Sequence, residues 1–244
     1  MLFVTILAGY VWWPAVEGEK MALVEFTMTG SVAVIAMDDG KANAMGPDMI
    51  SNVNDALDRA EAEASAVLII GRDGVFCGGF DLKVIRSGDV QEQVAMTTAG
   101  AQLAMRLYGF PKPVVMAATG HSVALGGFLL LAADHRIGIA GDFNVGLNEV
   151  AIGMSLPPFA LMLSRARLAQ RFLTGAALNA TMYTHEQAIA VGFLDEIVAA
   201  GDLRSVAIAK AEALGSLDAT VFQRVKQDLR GADIKAVMDQ MVAG

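Results

Sequence analysis

What the sequence lacks narrows it quickly. A single cysteine, Cys77, in 244 residues excludes an internal disulfide framework and fits a reducing compartment, which points to the cytoplasm. The three histidines, His121, His135 and His185, are scattered, and no pair has a metal-helix spacing such as H-E-x-x-H, so no metal centre is expected. Basic runs are absent and the net charge is −8, which argues against nucleic acid as a partner. No P-loop, G-x-G-x-x-G or G-x-S-x-G stretch occurs, so the usual signatures of nucleotide cradles and serine elbows are missing.

What the sequence does have is apolar bulk. Hydrophobic residues make up 55% of the chain, enough for a large core. Residues 2–16 are nearly all apolar. That run is short against the ~20 residues a membrane span needs, and no Lys or Arg precedes it as a secretory signal would require. Residues 1–20 are therefore read as an upstream start or an appended extension outside the fold, with a membrane anchor as the lesser reading and no membrane partner expected.

From Met21 the pattern alternates strands and helices. Val24–Met28 and Val32–Ala36 flank Gly30-Ser31 as a hairpin. Pro47 opens a helix with Ile50, Val53, Leu57 and Ala60 on one face. Val67–Ile70 and Val114–Ala118 are unbroken apolar runs, the mark of strands buried on both faces. The first is followed by the glycine-rich turn GRDGVFCGGFD, and the second feeds another at ALGG. Residues 89–109 read as a helix, Ile137–Ala140 and Leu194–Val198 as short strands, and the chain past Pro157-Pro158 as mostly helical. Thr184 and Gln187 form a capping box. The plan is α/β, repeated β-β-α units and then a helical tail.

Two strand-to-helix turns carry the chemistry, Phe76-Cys77-Gly78-Gly79-Phe80-Asp81 and Ala124-Leu125-Gly126-Gly127-Phe128. Glycine allows backbone N–H groups to approach a ligand oxygen, and a helix N-terminus adds partial positive charge. Facing each other, the turns could build an oxyanion hole. On glycine content alone, ordinary tight connections explain them as well. Glu149, in GLNEVAIGM, is either a surface residue at a turn or a partly buried base, and unaided the surface reading is the better one. Cys77 lacks an adjacent base and reads as a small buried hydrophobe. His121 reads as structural, Asp81 as a brace of its turn, and Asp134 with Arg136 as a structural pair. Met45, Met105, Met116 and Met154 suit an adaptable pocket or core filling equally.

Taken together, FCGGFDLK, the strand-Gly-Gly-helix at 114–133, GLNEVAIGM and RFLTGAALNATMYTHEQAIAVGFLDEIV (171–198) resemble the crotonase superfamily, the enoyl-CoA hydratase/isomerase group, from about Leu23 to the C-terminus. The resemblance implies a crotonase-like spiral over residues 21–200. It also implies a C-terminal helical oligomerisation region over 201–244, a homotrimer or dimer of trimers, and an acyl-CoA thioester substrate with no further cofactor. By motif, the oxyanion donors are the N–H of Phe80 and that of Gly126, preferred on the glycine alignment, with Leu125 the alternative when residues are counted without gaps. Lys41, Ala42 and Asn43 match the CoA loop and Lys83 a basic residue near the CoA sugar-phosphate. Gly79, Asp81, Phe128 and Leu130 complete the substrate-binding set, and Lys226 on a late helix is a further CoA candidate.

Hydratases of this group carry two glutamates. One corresponds to Glu149. The other falls at Phe128, Leu129 or Leu130, depending on the alignment frame, and all three are apolar. GLNE followed by a hydrophobic-Gly pair is similar to the single-glutamate Δ3,Δ2-enoyl-CoA isomerases of mitochondrial type. The expectation is a double-bond shift from Δ3 to Δ2 with Glu149 as sole acid and base. The alternatives are an enoyl-CoA hydratase of fatty-acid β-oxidation and a non-catalytic acyl-CoA binder.

Overall fold

The computed structural model describes residues 23–243; the apolar residues 1–20 lie outside them. Strands β1 (Val24–Thr29) and β2 (Val32–Met37) form the expected antiparallel hairpin. Its turn needs Gly30, whose φ of 57° is left-handed. Helix α1 (Pro47–Glu63) buries the predicted stripe of Ile50, Val53, Leu57 and Ala60. Strand β3 (Ala66–Ile70) is buried along its whole length.

Next come strand β4 (Gly74–Cys77), the single turn of helix α2 (Leu82–Ile85) and helix α3 (Val90–Tyr108), capped by the Asp89 carboxylate. The pattern repeats as β5 (Val114–Ala118), β6 (Gly120–Val123) and α4 (Leu125–Ala132). It repeats again as β7 (His135–Ile139), β8 (Asn144–Gly146) and α5 (Pro158–Arg167). Helix α6 (Gln170–Leu173) runs on into a π-turn. Strand β9 (Tyr183–Thr184), helix α7 (His185–Val191) with its capping box, strand β10 (Glu196–Val198), and helices α8 (Leu203–Gly215) and α9 (Ala219–Ala243) complete the chain.

The pairs β3-β4, β5-β6 and β7-β8 each donate one strand to each of two sheets, whereas β1 and β2 both join the larger. The larger is ordered β1-β2-β3-β5-β7-β10 and the smaller β4-β6-β8-β9. Within the smaller, β4, β6 and β8 are parallel neighbours. This is the β-β-α spiral expected.

Gly74–Cys77, expected to lie within a glycine-rich turn, and Gly120–Val123, for which the sequence suggested no element, are strands. They escape pattern reading because each is only four residues long and opens on a glycine, too short to show a side-chain period. A methyl group on Gly120 would lie 2.0 Å from the Gly74 carbonyl oxygen, and one on Gly126 would lie 2.2 Å from that of Cys77. No β-branched residue could occupy such positions, so the usual strand signature is missing.

The expected Asp134–Arg136 pair is also corrected, because each residue has a different partner. Arg136 forks onto Asp195 at 2.6 Å. Asp134 takes Lys226 at 2.7 Å and Arg230 at 2.9 Å, while its Oδ2 also accepts from the Val114 N–H. These ion pairs fasten α9 to the start of β5. They also account for Lys226, expected near the ligand: its ammonium is buried and committed to Asp134, with burial pushing its pKa down to about 8.

The close approach of α4 to β4 at Gly126 yields a stability prediction. Gly126→Ala should destabilise the protein by about 3 kcal/mol, at the upper end of overpacking costs. Gly201→Ala, where a methyl meets nothing within 4 Å, should stay within about 0.5 kcal/mol of wild type. Urea unfolding of the two variants checks this, and equal midpoints would contradict it.

Candidate active site

Parallel pairing brings the ends of β4, β6 and β8 to one edge. Cys77 lies opposite Ser122 in the register of β4 with β6, and Val123 opposite Gly146 in that of β6 with β8. Three loops therefore leave the sheet together: Gly78-Gly79-Phe80, Ala124-Leu125 and Leu147-Asn148-Glu149. They frame a cavity of about 650 Å³ whose walls include Phe80, Ala101, Phe128, Glu149, Phe159 and Met241.

The first loop is braced from behind by residues 41–45. Gly78 N–H donates to the Ala42 carbonyl and Met45 N–H to the Gly79 carbonyl, both at 2.8 Å. Asn43 makes this possible by adopting a left-handed φ of 47° and donating its side-chain amide to the Met37 and Phe76 carbonyls. Its side chain is thus spent inside the protein, contrary to the expectation of ligand contact. Lys41 is exposed, and its carbonyl accepts from Arg72. Gly79 has a φ of 101°, open to glycine alone at low cost. Asp81 caps α2 by accepting from the Lys83 N–H at 2.8 Å, and the Lys83 side chain is exposed outside the cavity wall.

The second loop turns at Ala124, a non-glycine residue with φ 54°, held by its N–H bond to the Gly146 carbonyl. The first amide of α4 to return to a carbonyl four residues back is Phe128, bonded to Ala124. Those of Leu125, Gly126 and Gly127 precede it and have no such partner within the helix. Gly126 presses against the Cys77 backbone. The Leu125 nitrogen lies beside the first loop, 3.8 Å from where a methyl on Gly79 would sit. Of the three apolar residues that could occupy the second-glutamate position, Phe128 lines the cavity. Leu130, expected to touch substrate, is wholly buried in the core instead. Two residues on along a helix, it points away from the Phe128 side.

Glu149 stands at the head of a short 3₁₀ turn, Val150–Ile152, and its carbonyl accepts from the Ile152 and Met154 amides at 3.1 and 2.9 Å. The side chain is 8% exposed, and its Oε2 has no hydrogen-bond partner among the described residues. Burial pushes its pKa up to about 7. The surface reading of this residue is overturned by its burial, and it shares the cavity wall with Phe128 and Phe159. Asn148, beside it on the wall, has a buried Oδ1 that also lacks a partner.

Two neighbours take structural roles. Burial pushes the Cys77 thiol up to about 12, so it holds no thiolate at neutral pH. His121 Nδ1 accepts from the Asn144 N–H at 3.0 Å and meets Phe143 edge-on. Of the four methionines singled out, Met154 alone lines the cavity, whereas Met45, Met105 and Met116 are buried in the core. The walls from α3, α5 and α9, such as Ala101, Phe159 and Met241, carry no motif and gave no signal in the sequence. Among the described residues there is no group of three or more metal-ligating side chains, and no helix is long and apolar enough to cross a membrane.

Comparison with known proteins agrees with this geometry. The family model described as enoyl-CoA hydratase/isomerase matches residues 27–241. A Mycobacterium tuberculosis structure described as the probable enoyl-CoA hydratase EchA3 is 41% identical with a TM-score of 0.86, covering 90% of this chain and 93% of that one. A second structure of that mycobacterial protein, described as an enoyl-CoA isomerase, is 40% identical with a TM-score of 0.85, covering 91% and 98%. The mitochondrial enoyl-CoA delta isomerase 1 of Rattus norvegicus is 25% identical over 228 residues, 91% of this chain and 77% of its own. With the spiral, the paired strand-to-helix turns and the match over residues 27–241, the chain belongs to the enoyl-CoA hydratase/isomerase family of the crotonase superfamily.

Proposed function

We propose that this protein moves the double bond of a 3-enoyl-CoA to the 2-position, with Glu149 as its only acid and base. The observation that carries the reading is that Glu149 is the one carboxylate among the described residues lining the cavity, while Phe128, Leu129 and Leu130, among which a hydratase's second glutamate would fall, are all apolar. In this reading the thioester carbonyl oxygen accepts from the Phe80 and Leu125 N–H groups. Leu125 replaces Gly126 as second donor because its nitrogen adjoins the first loop, whereas Gly126 is pressed against β4.

The steps balance with one proton. Ionised Glu149 removes a proton from C2, and the electron pair moves into the thioester as a dienolate whose oxygen is held by the two N–H groups. Protonated Glu149 then delivers the proton to C4, and the double bond settles between C2 and C3. A carboxyl group with pKa near 7 serves both halves, because neither form is strongly preferred at neutral pH. The apolar walls exclude water that would compete for the dienolate. The mycobacterial relative described as an isomerase supports the reading.

One observation favours a second reading, hydration of a 2-enoyl-CoA. The unpartnered Asn148 Oδ1 beside Glu149 could hold a water there, and another structure of the same relative is described as a hydratase. Incubation with 2-enoyl-CoA separates the two, since net 3-hydroxyacyl-CoA appears only by hydration. Tight acyl-CoA binding with no turnover of either substrate would instead mark a binder.

Glu149→Gln should lower kcat on 3-enoyl-CoA by about 10³-fold, within the range for loss of a general acid–base group. Wild-type kcat/KM should rise through an apparent pKa near 7 as the carboxylate ionises. Retention of more than a tenth of wild-type activity by the variant would remove Glu149 from this role.

The same group makes a prediction for stability. Its folded pKa, about 7, exceeds the ordinary 4.5, so the folded state holds the proton more tightly than the unfolded one. Wild type therefore loses stability relative to Glu149→Gln as pH rises from 4.5 through 7. The gap should reach about 3 kcal/mol by pH 8. Denaturant titrations at pH 5 and pH 8 measure it, and a pH-independent gap would show that the carboxyl is not desolvated.

A further inference from the structure

Gly100 lies in the interior of α3, is buried and adopts an ordinary helical backbone. Alanine is the better helix former at such a position, so the glycine needs a tertiary reason. A methyl group there would lie 2.4 Å from Phe80 Cε1, 2.7 Å from Phe80 Cζ and 3.1 Å from Leu125 Cδ2. One side chain comes from each of the two loops that meet at the cavity, and both rest on the same glycine.

We infer that Gly100 is a positioning residue for the oxyanion site: it seats the Phe80 and Leu125 side chains together and so sets the spacing of their two N–H groups. This rests on the assignment of those donors under the proposed function. The physical case is that the first loop owes its position to contacts on both of its sides. Gly78 and Gly79 precede Phe80, and Gly79 is left-handed. Upstream, the loop is anchored through the Met45 bond to the Gly79 carbonyl. That carbonyl shares its peptide plane with the Phe80 N–H, so the bond holds the amide from one side, and the Phe80 ring against α3 holds the residue from the other. Leu125 opens α4 and follows the strained Ala124 turn. A glycine shared by both side chains converts helix α3 into a rigid template for two amides that belong to different strands. Preorganised donors owe their effect to being fixed before charge develops, which makes the seat a determinant of rate rather than of affinity.

The test compares Gly100→Ala, Phe80→Ala and the double variant with wild type. Phe80→Ala keeps the backbone donor and removes the ring that the new methyl would strike. Gly100→Ala should lower kcat on 3-enoyl-CoA by about 10- to 100-fold, less than outright loss of a donor, with KM within about threefold of wild type. The double variant should return to the level of Phe80→Ala alone. In parallel, the infrared stretch of the thioester carbonyl is recorded with a bound saturated acyl-CoA. Its downshift should shrink in Gly100→Ala and be restored in the double variant. Unchanged kcat and carbonyl stretch in Gly100→Ala would overturn the inference. So would a raised KM at constant kcat, the sign of a ring displaced into the cavity. Should Gly100→Ala fail to fold, a folded double variant matching Phe80→Ala supports the seat, and a double variant that also fails to fold refutes it. If wild type turns over no enoyl-CoA, the proposed reaction falls, and the infrared comparison decides on the seat alone.

Discussion

The contact on which the site depends is the near-bare approach of β6 and the first turn of α4 to β4. Glycines at 120 and 126 leave 2.0–2.2 Å between an added methyl and the opposing carbonyl oxygens, so these backbones can meet only without side chains. That approach aligns the ends of β4 and β6, and pairing of β6 with β8 brings the Glu149 loop to the same edge. Moving any one strand would separate groups that, in the proposed reaction, act on one substrate. Clustering of ligand groups at the carboxyl ends of parallel strands is a recurring consequence of this topology.

The electrostatics of the site follow from its enclosure. Glu149 is buried beside aromatic and aliphatic walls with an unpartnered Oε2, an arrangement that costs folding stability whenever the carboxylate is ionised. In the proposed reaction the same desolvation suits the group both to take and to return a proton. The other buried charges are arranged in the opposite way. Asp134 holds Lys226 and Arg230, and Asp195 holds Arg136, so each charge is compensated and has no free pair to offer a substrate. This contrast between paired and unpaired burial sets Glu149 apart from the structural carboxylates and is the physical ground for its proposed role.

Much of this was legible in advance, for physical reasons that can be named. The hairpin at Gly30, the stripe of α1 and the buried runs of β3 and β5 obey side-chain periodicities that survive in any fold. The glycine pairs before Phe80 and Phe128 and the lone Glu149 pointed to a site only through the family resemblance, since residue by residue tight turns explained the glycines as well and a surface place suited Glu149 better. Strands β4 and β6 were not legible, since each is only four residues long and opens on a glycine, too short to show a side-chain period. Nor were the roles of Asn43 and Lys226, whose polar ends are taken up by carbonyls and a carboxylate far along the chain.

The sequence by itself determined the α/β plan, the two glycine turns and the presence of one carboxylate where a hydratase has two. Those are matters of local composition and order. Only the tertiary structure decided that Phe128 rather than Leu130 faces the cavity, that the Leu125 amide rather than that of Gly126 adjoins the first loop, and that Glu149 is buried rather than at the surface. Each of those depends on the packing of elements distant in the chain, α3, α5 and α9 among them. Burial, and with it the pKa that suits Glu149 to carry a proton, is a property of surroundings that no single stretch of the sequence contains.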